Sequence, residues 1–254
     1  MHKIIIENDK IIDSDIKYLF KEKKDIFGIN EINFDINTNE IFININSYES
    51  KLIINFNIHC DTKLYIITNG SKSKIQYNYN IDSNRYINVE KLNIVDSIRE
   101  MISANIEENS NFNYIFKTIS INHENYDYMI YHNGINSTSN IINNGVNECG
   151  SIYLQISSFV PKNIIGCSTN QYNKIINNTE NKCEIRPNLY IDCSDVSANH
   201  SALIDKFSNE EIFYLESKGI KYEDATKLLT RGFLLSKITN KEIIDIINKR
   251  YGGE

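Results

Sequence analysis

Five cysteines and five histidines have the strongest claim to thiol or metal chemistry: Cys60, Cys149, Cys167, Cys183 and Cys193, with His2, His59, His123, His132 and His200. The cysteines are odd in number, widely spread and without a C-x-x-C pair. That argues against a disulfide framework and against a closed structural zinc site. Free thiols in a reducing compartment fit better. No two histidines are spaced as a metal pair on one element would be. The most informative neighbourhood surrounds His200. Upstream of it, Leu189, Ile191 and Cys193 alternate along a strand candidate from Leu189 to Val196, which turns Cys193 inward. An inward thiol serves as a small core residue or as a ligand. Asp195 shares that parity, and an inward carboxylate is costly unless it is paired or caps the strand's end. Cys183, ahead of Pro187 in a polar stretch, reads as the more exposed thiol. Cys167, in IIGCSTNQY, is compatible with core and ligand roles alike. His200 itself has the chemistry to bind a metal, shuttle a proton or hydrogen-bond across an interface.

Other catalytic signatures are missing. There is no G-x-x-x-x-G-K-[ST] or G-x-G-x-x-G, so no nucleotide site is expected on this chain. There is no H-E-x-x-H and no G-x-S-x-G elbow. The net charge of -6 is spread through the chain and leaves no electrostatic footprint for nucleic acid. No apolar run approaches membrane-spanning length, and MHKIIIENDK is too polar for a secretory leader. A cytoplasmic protein is expected. Heavy use of Ile, Asn and Lys fits an AT-rich genome; stacked asparagine ladders are the alternative.

The elements that must hold these residues fall into three textures. Residues 1–28 contain a short helical candidate from Ser14 to Lys24, with Ile16, Leu19 and Phe20 at helical spacing, and read as a cap. Residues 29–205 read as strand after strand. Ile32, Phe34 and Ile36 alternate with polar partners, as do Ile54, Phe56, Ile58 and Cys60, then Phe112, Tyr114 and Phe116, then Ile152, Leu154 and Ile156. One stretch, Val89 to Glu108, also carries a helical spacing of Ile94, Ile98 and Ile102. A chain of short strands is a sandwich, a closed barrel or a β-solenoid, and periodicity does not choose among them.

Residues 206–254 change to helix. Ser208 with Glu211 forms a capping-box pattern, and Gly219 suits the end of that first helix. A second helix is expected from about Glu223 to Lys237, and a third from Thr239, paired with Glu242 in a second capping pattern. Eight basic and eight acidic side chains balance over residues 209–254. So small a helical unit cannot bury all its apolar faces on itself, so part should dock on the β body and part is left for a partner.

The segment RPNLYIDCSDVSANHSALIDKFSNEEIFYLESKGI, Arg186 to Ile220, resembles the signature of the SufB/SufD family. The resemblance rests on Pro187, Leu189 and Ile191, on Asp195, Val196, His200 and Ala202, and on Phe213, Tyr214, Leu215, Ser217, Lys218, Gly219 and Ile220. Ala225, Leu228, Leu229, Gly232 and Phe233 continue it downstream, and His132, Gly134, Asn136, Ser137, Gly145 and Val146 carry it upstream, with Thr169, Asn170, Gln171 and Asn173 between. The match covers about residues 131–235. There are departures. Ser201 stands where the SufB branch has a glutamate after the histidine, Gln171-Tyr172-Asn173 near where that branch carries a functional cysteine, and Ala198 near where SufD proteins tend to carry one.

The resemblance implies a right-handed parallel β-helix with a small C-terminal helical domain, in a short SufD-like member lacking most of the family's N-terminal helical region. It implies a non-catalytic scaffold on which an iron–sulfur cluster forms transiently at a subunit interface. The implied partners are a SufC-like ABC ATPase, which would supply the ATP chemistry, and a second SufB/SufD-like subunit, a copy of itself or a paralogue. No nucleic acid, membrane or bound nucleotide is expected. His200 becomes the cluster-interface residue, as ligand or proton handler, with Cys193, Cys167 and Cys183 as thiol candidates because thiolates suit iron–sulfur chemistry. Phe213, Tyr214, Leu215, Leu228, Leu229 and Phe233 become the ATPase-docking candidates. Two rival readings have other features: a solenoid binding carbohydrate or acting as an adhesin, and a β-sandwich or barrel hydrolase, for which no nucleophile or carboxylate pair is evident.

Overall fold

The computed structural model describes residues 1–22 and 28–252. Period-two alternation here builds a parallel β-solenoid of about seven turns. The chain opens with β1 (His2–Glu7), β2 (Lys10–Ser14) and β3 (Tyr18–Glu22). The coils then run through β4 (Asn30–Ile36), β5 (Glu40–Tyr48), β6 (Lys51–Ile58), β7 (Thr62–Ser71), β8 (Ser73–Ile81), β9 (Tyr86–Val95) and β10 (Ile98–Ile106). They continue through β11 (Asn111–Ser120), β12 (His123–His132), β13 (Thr138–Asn147), β14 (Ser151–Val160), β15 (Cys167–Asn177), β16 (Glu184–Ile191) and β17 (Val196–Asp205). From β4 onward successive strands alternate between two sheets. One has the order β17-β15-β13-β11-β9-β7-β5-β1-β2, the other β16-β14-β12-β10-β8-β6-β4-β3. Each coil contributes one strand to each sheet and lies in register on the coil before it.

In-register stacking makes columns of like side chains. Between the sheets, the rings of Phe34, Phe56 and Tyr79 stack at 5.8 and 5.2 Å. Isoleucines such as Ile43 and Ile66 fill the positions beside them with no exposure. Outside, amides stack as well: Asn105 donates to Asn80, Asn80 to Asn57, and Asn57 to Asp35, all within 2.9–3.0 Å. The asparagine content is therefore part of the architecture.

Three helices follow: α1 (Asn209–Ser217), α2 (Tyr222–Leu235) and α3 (Lys241–Tyr251). The capping box of Ser208 and Glu211 is present in α1. A second core joins the helices to the outer face of the nine-stranded sheet. Leu234, Ile238, Ile243, Ile247 and Tyr251 pack there on Leu92, Ile115, Ile142 and Val146, among others.

Four local expectations are corrected. The helix expected from Ser14 to Lys24 is strand where it is described: β2 and β3 fold back antiparallel on β1 and β4, which outweighs a weak helical spacing. Lys23 and Lys24 lie outside the described residues. Val89 to Glu108 forms β9, a corner and β10, because its isoleucines stack on neighbouring coils. The strand expected from Leu189 to Val196 breaks after Ile191, since the chain turns there to the other sheet. The third helix is capped one residue later than expected, by Asn240, whose Oδ1 accepts from Ile243 N at 3.1 Å.

Charge is also buried between the sheets. Lys91 and Glu100 are fully enclosed and paired, with Asn93 bonding to both. Burial pulls the Lys91 ammonium down, and Glu100 opposes the shift. Glu124 accepts from Thr118 at 2.8 Å and Tyr126 at 2.9 Å, yet its Oε1 has no partner. Burial pushes its carboxyl up to about 8, against the pull of those two bonds. Between 4.5, its ordinary value, and about 8 the folded chain therefore keeps a proton that the unfolded chain has released. Stability contributed by this group is complete below that window and is lost as pH rises through it. Glu124→Gln removes the linkage. Relative to wild type, the variant should gain on the order of a few kcal/mol between pH 5 and pH 8.5, read from urea unfolding at each pH. A difference that stays flat with pH would contradict this.

Candidate functional site

The two ends of the solenoid differ. At the start, β2 and β3 turn back antiparallel and close the stack. At the other end β16 and β17 are edge strands, and among the described residues no rung lies above them. On β15, Thr169, Gln171, Asn173 and Ile175 are buried side chains facing inward. Their register partners on β17 are Ala198, His200, Ala202 and Ile204. Those four share the inward face of the last rung, and three of them, His200 included, are exposed. Opposite them Ile185, Pro187, Leu189 and Ile191 are half-buried on β16, above Leu154, Ile156, Ser158 and Val160. His200 thus stands in a largely apolar open end, directly over Gln171.

The floor beneath it is polar. Gln171 Nε2 donates to Ser158 Oγ at 2.8 Å and to Asn188 O at 3.2 Å. Asn143 donates to Asn173 at 2.7 Å, and Asn173 donates to Ser201 O at 2.9 Å. Gln171 Oε1 and Asn143 Oδ1 are buried acceptors without a donor. Such atoms are expensive to leave unpaired, so the open end has hydrogen-bonding capacity to offer.

The thiol candidates do not gather around His200. Cys167 begins β15 and is 2% exposed, with Ser137 Oγ at 3.3 Å. It lies four residues along the strand from Gln171, roughly 13 Å at strand spacing. Cys193 is half-buried in the corner between β16 and β17. That corner stacks on the Cys167 corner through Gly166 N to Asp195 O, 2.9 Å. Asp195 is exposed, because the strand has ended and the corner faces solvent; it is not the inward carboxylate that parity suggested. Cys183 is half-buried at the opposite edge, where Asn147 Nδ2 reaches its sulfur at 3.4 Å and burial pushes the thiol up. Among the described residues no three His, Cys, Asp or Glu side chains are grouped to hold a metal ion. Among the described residues, His200 is the one strong donor on the inward face of the open end. A cluster resting there needs further ligands from another molecule.

The family-like segment around His132 forms one corner of the coil. Gly134 is required there, since a Cβ would lie 2.0 Å from Glu108 N of the coil below. Asn136 takes a positive φ of 56° and donates to Asn109 in the corner ladder at 3.0 Å. In the sequence these residues carry only the family resemblance. Nothing in the linear chain marks Gln171, Thr169 or Ser158 as site residues, because their importance depends on which rung is last.

The helices form a second candidate surface. Phe213 is 70% exposed, Tyr214 62% and Leu228 37%. Leu215 and Leu229 are half-buried. Phe233 packs against the core shared with the solenoid, so it is partly committed to holding the helices in place. No described helix is long and apolar enough to cross a membrane. Carboxylates, buried Glu90 and half-buried Glu148, anchor this unit at both ends of α3. Glu90 accepts from Thr239 N at 2.8 Å, Thr239 Oγ1 at 2.6 Å and Asn240 N at 2.9 Å. Glu148 accepts from Arg250 and from Tyr251. Between them Lys117 donates to Ser236 at 3.2 Å, and burial, with Lys237 near, pulls its ammonium down to about 7.

Residues 95–233, more than half of the 254-residue chain, match the family model described as SUF system FeS cluster assembly, SufBD core domain. Curated proteins similar to this chain are each called an iron–sulfur cluster assembly SufBD family protein. Those of Staphylococcus haemolyticus, Staphylococcus epidermidis and Staphylococcus aureus are each 30% identical over 105 residues. That stretch is 41% of this chain and 23% of each relative, so the match spans less than a quarter of the relatives' length.

The Glu90 anchor is directly testable. Glu90→Ala strands two backbone N–H groups at the head of α3, at about 1–3 kcal/mol each. Amide exchange in α3 should accelerate by about thirtyfold or more, while β4 to β8 keep wild-type protection. Unchanged exchange in α3 would show that the apolar contacts alone hold the helices.

Proposed function

The chain belongs to the SufBD core family of the SUF system, and on that premise we propose that it is a SufD-like scaffold subunit supporting iron–sulfur cluster assembly at a subunit interface in the cytoplasm. The observation that carries this reading is the open end. His200 stands there on the last rung, over buried acceptors, with two unpaired strand edges beside it. An isolated donor on an unpaired edge makes a partial site that a partner completes. Edge strands of this kind invite pairing with another chain. The second subunit, a copy of this chain or a paralogue, would cover the edge and contribute the ligands this chain lacks. The cluster is cargo here, not a resident cofactor.

The second partner would be a SufC-like ABC ATPase on the face of Phe213, Tyr214 and Leu228. Exposed aromatic side chains clustered on short helices are the usual material of binding hot spots. ATP-driven movement of this ATPase would act on the helices and open the subunit interface at His200. The chain itself would hydrolyse nothing. The carbohydrate-binding alternative gains little from the aromatic row Tyr131, Phe159 and Tyr190. Those rings stack on one another at 4.9 and 4.8 Å, which occupies the faces a sugar would need.

Two measurements test the reading. The chain should co-purify with the SufC-like ATPase, and Phe213→Ala with Tyr214→Ala should weaken that association by about tenfold or more without altering the circular dichroism. Failure of any SufC-like protein to bind would remove the ATPase partner. In a reconstituted assembly, His200→Ala should lower cluster yield while the partners still associate. Unchanged yield would dismiss His200.

A further inference from the structure

The last rungs hold a line of polar side chains that stacking does not require. Ser137 Oγ, 3.3 Å from Cys167 Sγ, lies 2.8 Å from His132 Nδ1. His132 Nε2 lies 3.0 Å from Ser139 Oγ. Ser139 donates to Thr169 Oγ1 at 2.9 Å, and Thr169 donates to Ser158 Oγ at 2.9 Å. Ser158 also receives the bond from Gln171. All of these side chains are buried, and His132, Ser139, Thr169 and Gln171 have no exposure at all.

The directions of these bonds fix the imidazole. Ser139 commits its one hydrogen to Thr169, so His132 Nε2 is the donor to Ser139. Nδ1 then carries the lone pair and accepts from Ser137. Ser137 has committed its hydrogen in turn, so its contact with Cys167 is donated by the thiol. The thiol's other neighbours, Gly134 O at 3.6 Å and Ile165 O at 3.7 Å, are farther and are acceptors only. Every hydrogen in the line points from Cys167 towards Ser158. Burial keeps the imidazole neutral, pulling it down to about 4. A neutral ring does not store a proton at neutral pH; it takes one at Nδ1 while giving one up at Nε2. At the far end Ser158 accepts two bonds, and Gln171 Oε1 is a buried acceptor with no donor. Water entering between β16 and β17 therefore meets a donor and an acceptor together.

We propose that Cys167, Ser137, His132, Ser139, Thr169 and Ser158 form a proton relay that joins a buried thiol to the open end beneath His200. The S–H bond of Cys167 breaks and its proton passes to Ser137. The Ser137 proton passes to Nδ1 of His132, and the Nε2 proton passes to Ser139. Ser139 hands a proton to Thr169, Thr169 to Ser158, and Ser158 to water at the open end. The products are a thiolate at Cys167 and a proton in solvent; no electron moves. Cys167 thereby exchanges its proton without the rungs coming apart. His132 acts on it through Ser137 as a positioning residue. The use of the relay rests on the scaffold reading, in which protons are released at the open end as iron and sulfide come together. Its existence does not, and it is tested on this chain alone.

The test follows the infrared S–H stretching band in the full chain with Cys60, Cys149, Cys183 and Cys193 changed to alanine. On transfer to heavy water, the Cys167 band should shift to S–D at least about tenfold faster than the protected amides of β13 and β15 exchange. Ser139→Ala interrupts the line beyond His132 and should slow the thiol to the amide rate, with Ser139→Thr restoring it. Nitrogen-15 shifts of His132 should report the Nε2–H tautomer. Thiol exchange locked to the amide rate in the parent chain, indifference to Ser139→Ala, or an Nδ1–H ring would each overturn the relay. Thr169→Val takes the place of Ser139→Ala should that variant not fold.

Discussion

In-register parallel stacking is the constraint on which the rest of this molecule depends. Neighbouring strands lie about 4.8 Å apart, so each side chain rests on the one occupying its position in the coil below. A column tolerates only groups that are compatible with themselves at that distance. Isoleucine and phenylalanine satisfy it by packing, as in the Phe34, Phe56 and Tyr79 column. Asparagine satisfies it because its amide both donates and accepts, so Asn80 bonds down to Asn57 and receives from Asn105. Like charges do not satisfy it. The buried ions are accordingly paired across the interior, as Lys91 with Glu100, or neutralised, as the carboxyl of Glu124.

The same constraint makes the ends chemically distinct from the middle. A column is satisfied from both sides everywhere but at its last member. The first coil avoids the problem by turning β2 and β3 antiparallel over the stack. The last coil does not, and the inner face of β17, with that of β16 opposite, becomes an inward-facing surface that a ligand or partner reaches. The interior grows more polar along the stack. Inward positions through β8 are mostly Ile, Leu, Phe and Tyr, with Ser47, Thr68 and Ser73 among them; Lys91, Asn93, Glu100, Thr118 and Glu124 lie inside β9 to β12, and Ser139, Asn143, Ser158, Thr169, Gln171 and Asn173 inside β13 to β15. Polar groups buried near an opening need partners, and the line from Cys167 to Ser158 supplies them within the chain.

Much of the fold was legible in the sequence because a solenoid is locally written: alternation gives the strands, and Ser208 with Glu211 gives the start of α1. What alternation did not reveal was the height of each strand in the stack. Ile94, Ile98 and Ile102 suggested a helix until β9 and β10 found their neighbours. The parity of Asp195 leaves it either an inward carboxylate or the end of the strand, because a corner of a few residues looks like one more pair of strand residues; the exposed corner is the outcome. The site was half legible. His200 was found through its surrounding signature, whereas Gln171 gains meaning only from the register that places it below His200. In the linear chain Cys193 reads as inward, Cys183 as more exposed and Cys167 as core or ligand; in the fold Cys167 occupies an interior column, while Cys183 and Cys193 are both half-buried, at one edge and the opposite corner.

The helices turn this geometry into mechanics. They are attached to the solenoid at two heights. The covalent link from Asp205 through Ser208 joins α1 to the last rung. The carboxylates of Glu90 and Glu148 hold α3 to the coils of β9 and β13, farther down the stack. A force on α2 and α3 therefore enters the middle coils, whose two faces are both packed and which resist shear. A force on α1 enters the last rung, which has packing on one side only and the fewest neighbours to resist displacement. Of the exposed aromatic side chains on the helices, Phe213 and Tyr214 lie on α1 and Tyr222 begins α2. A partner gripping Phe213 and Tyr214 would hold the one lever that ends at the strand carrying His200, while the clamps on α3 keep the remaining coils in register.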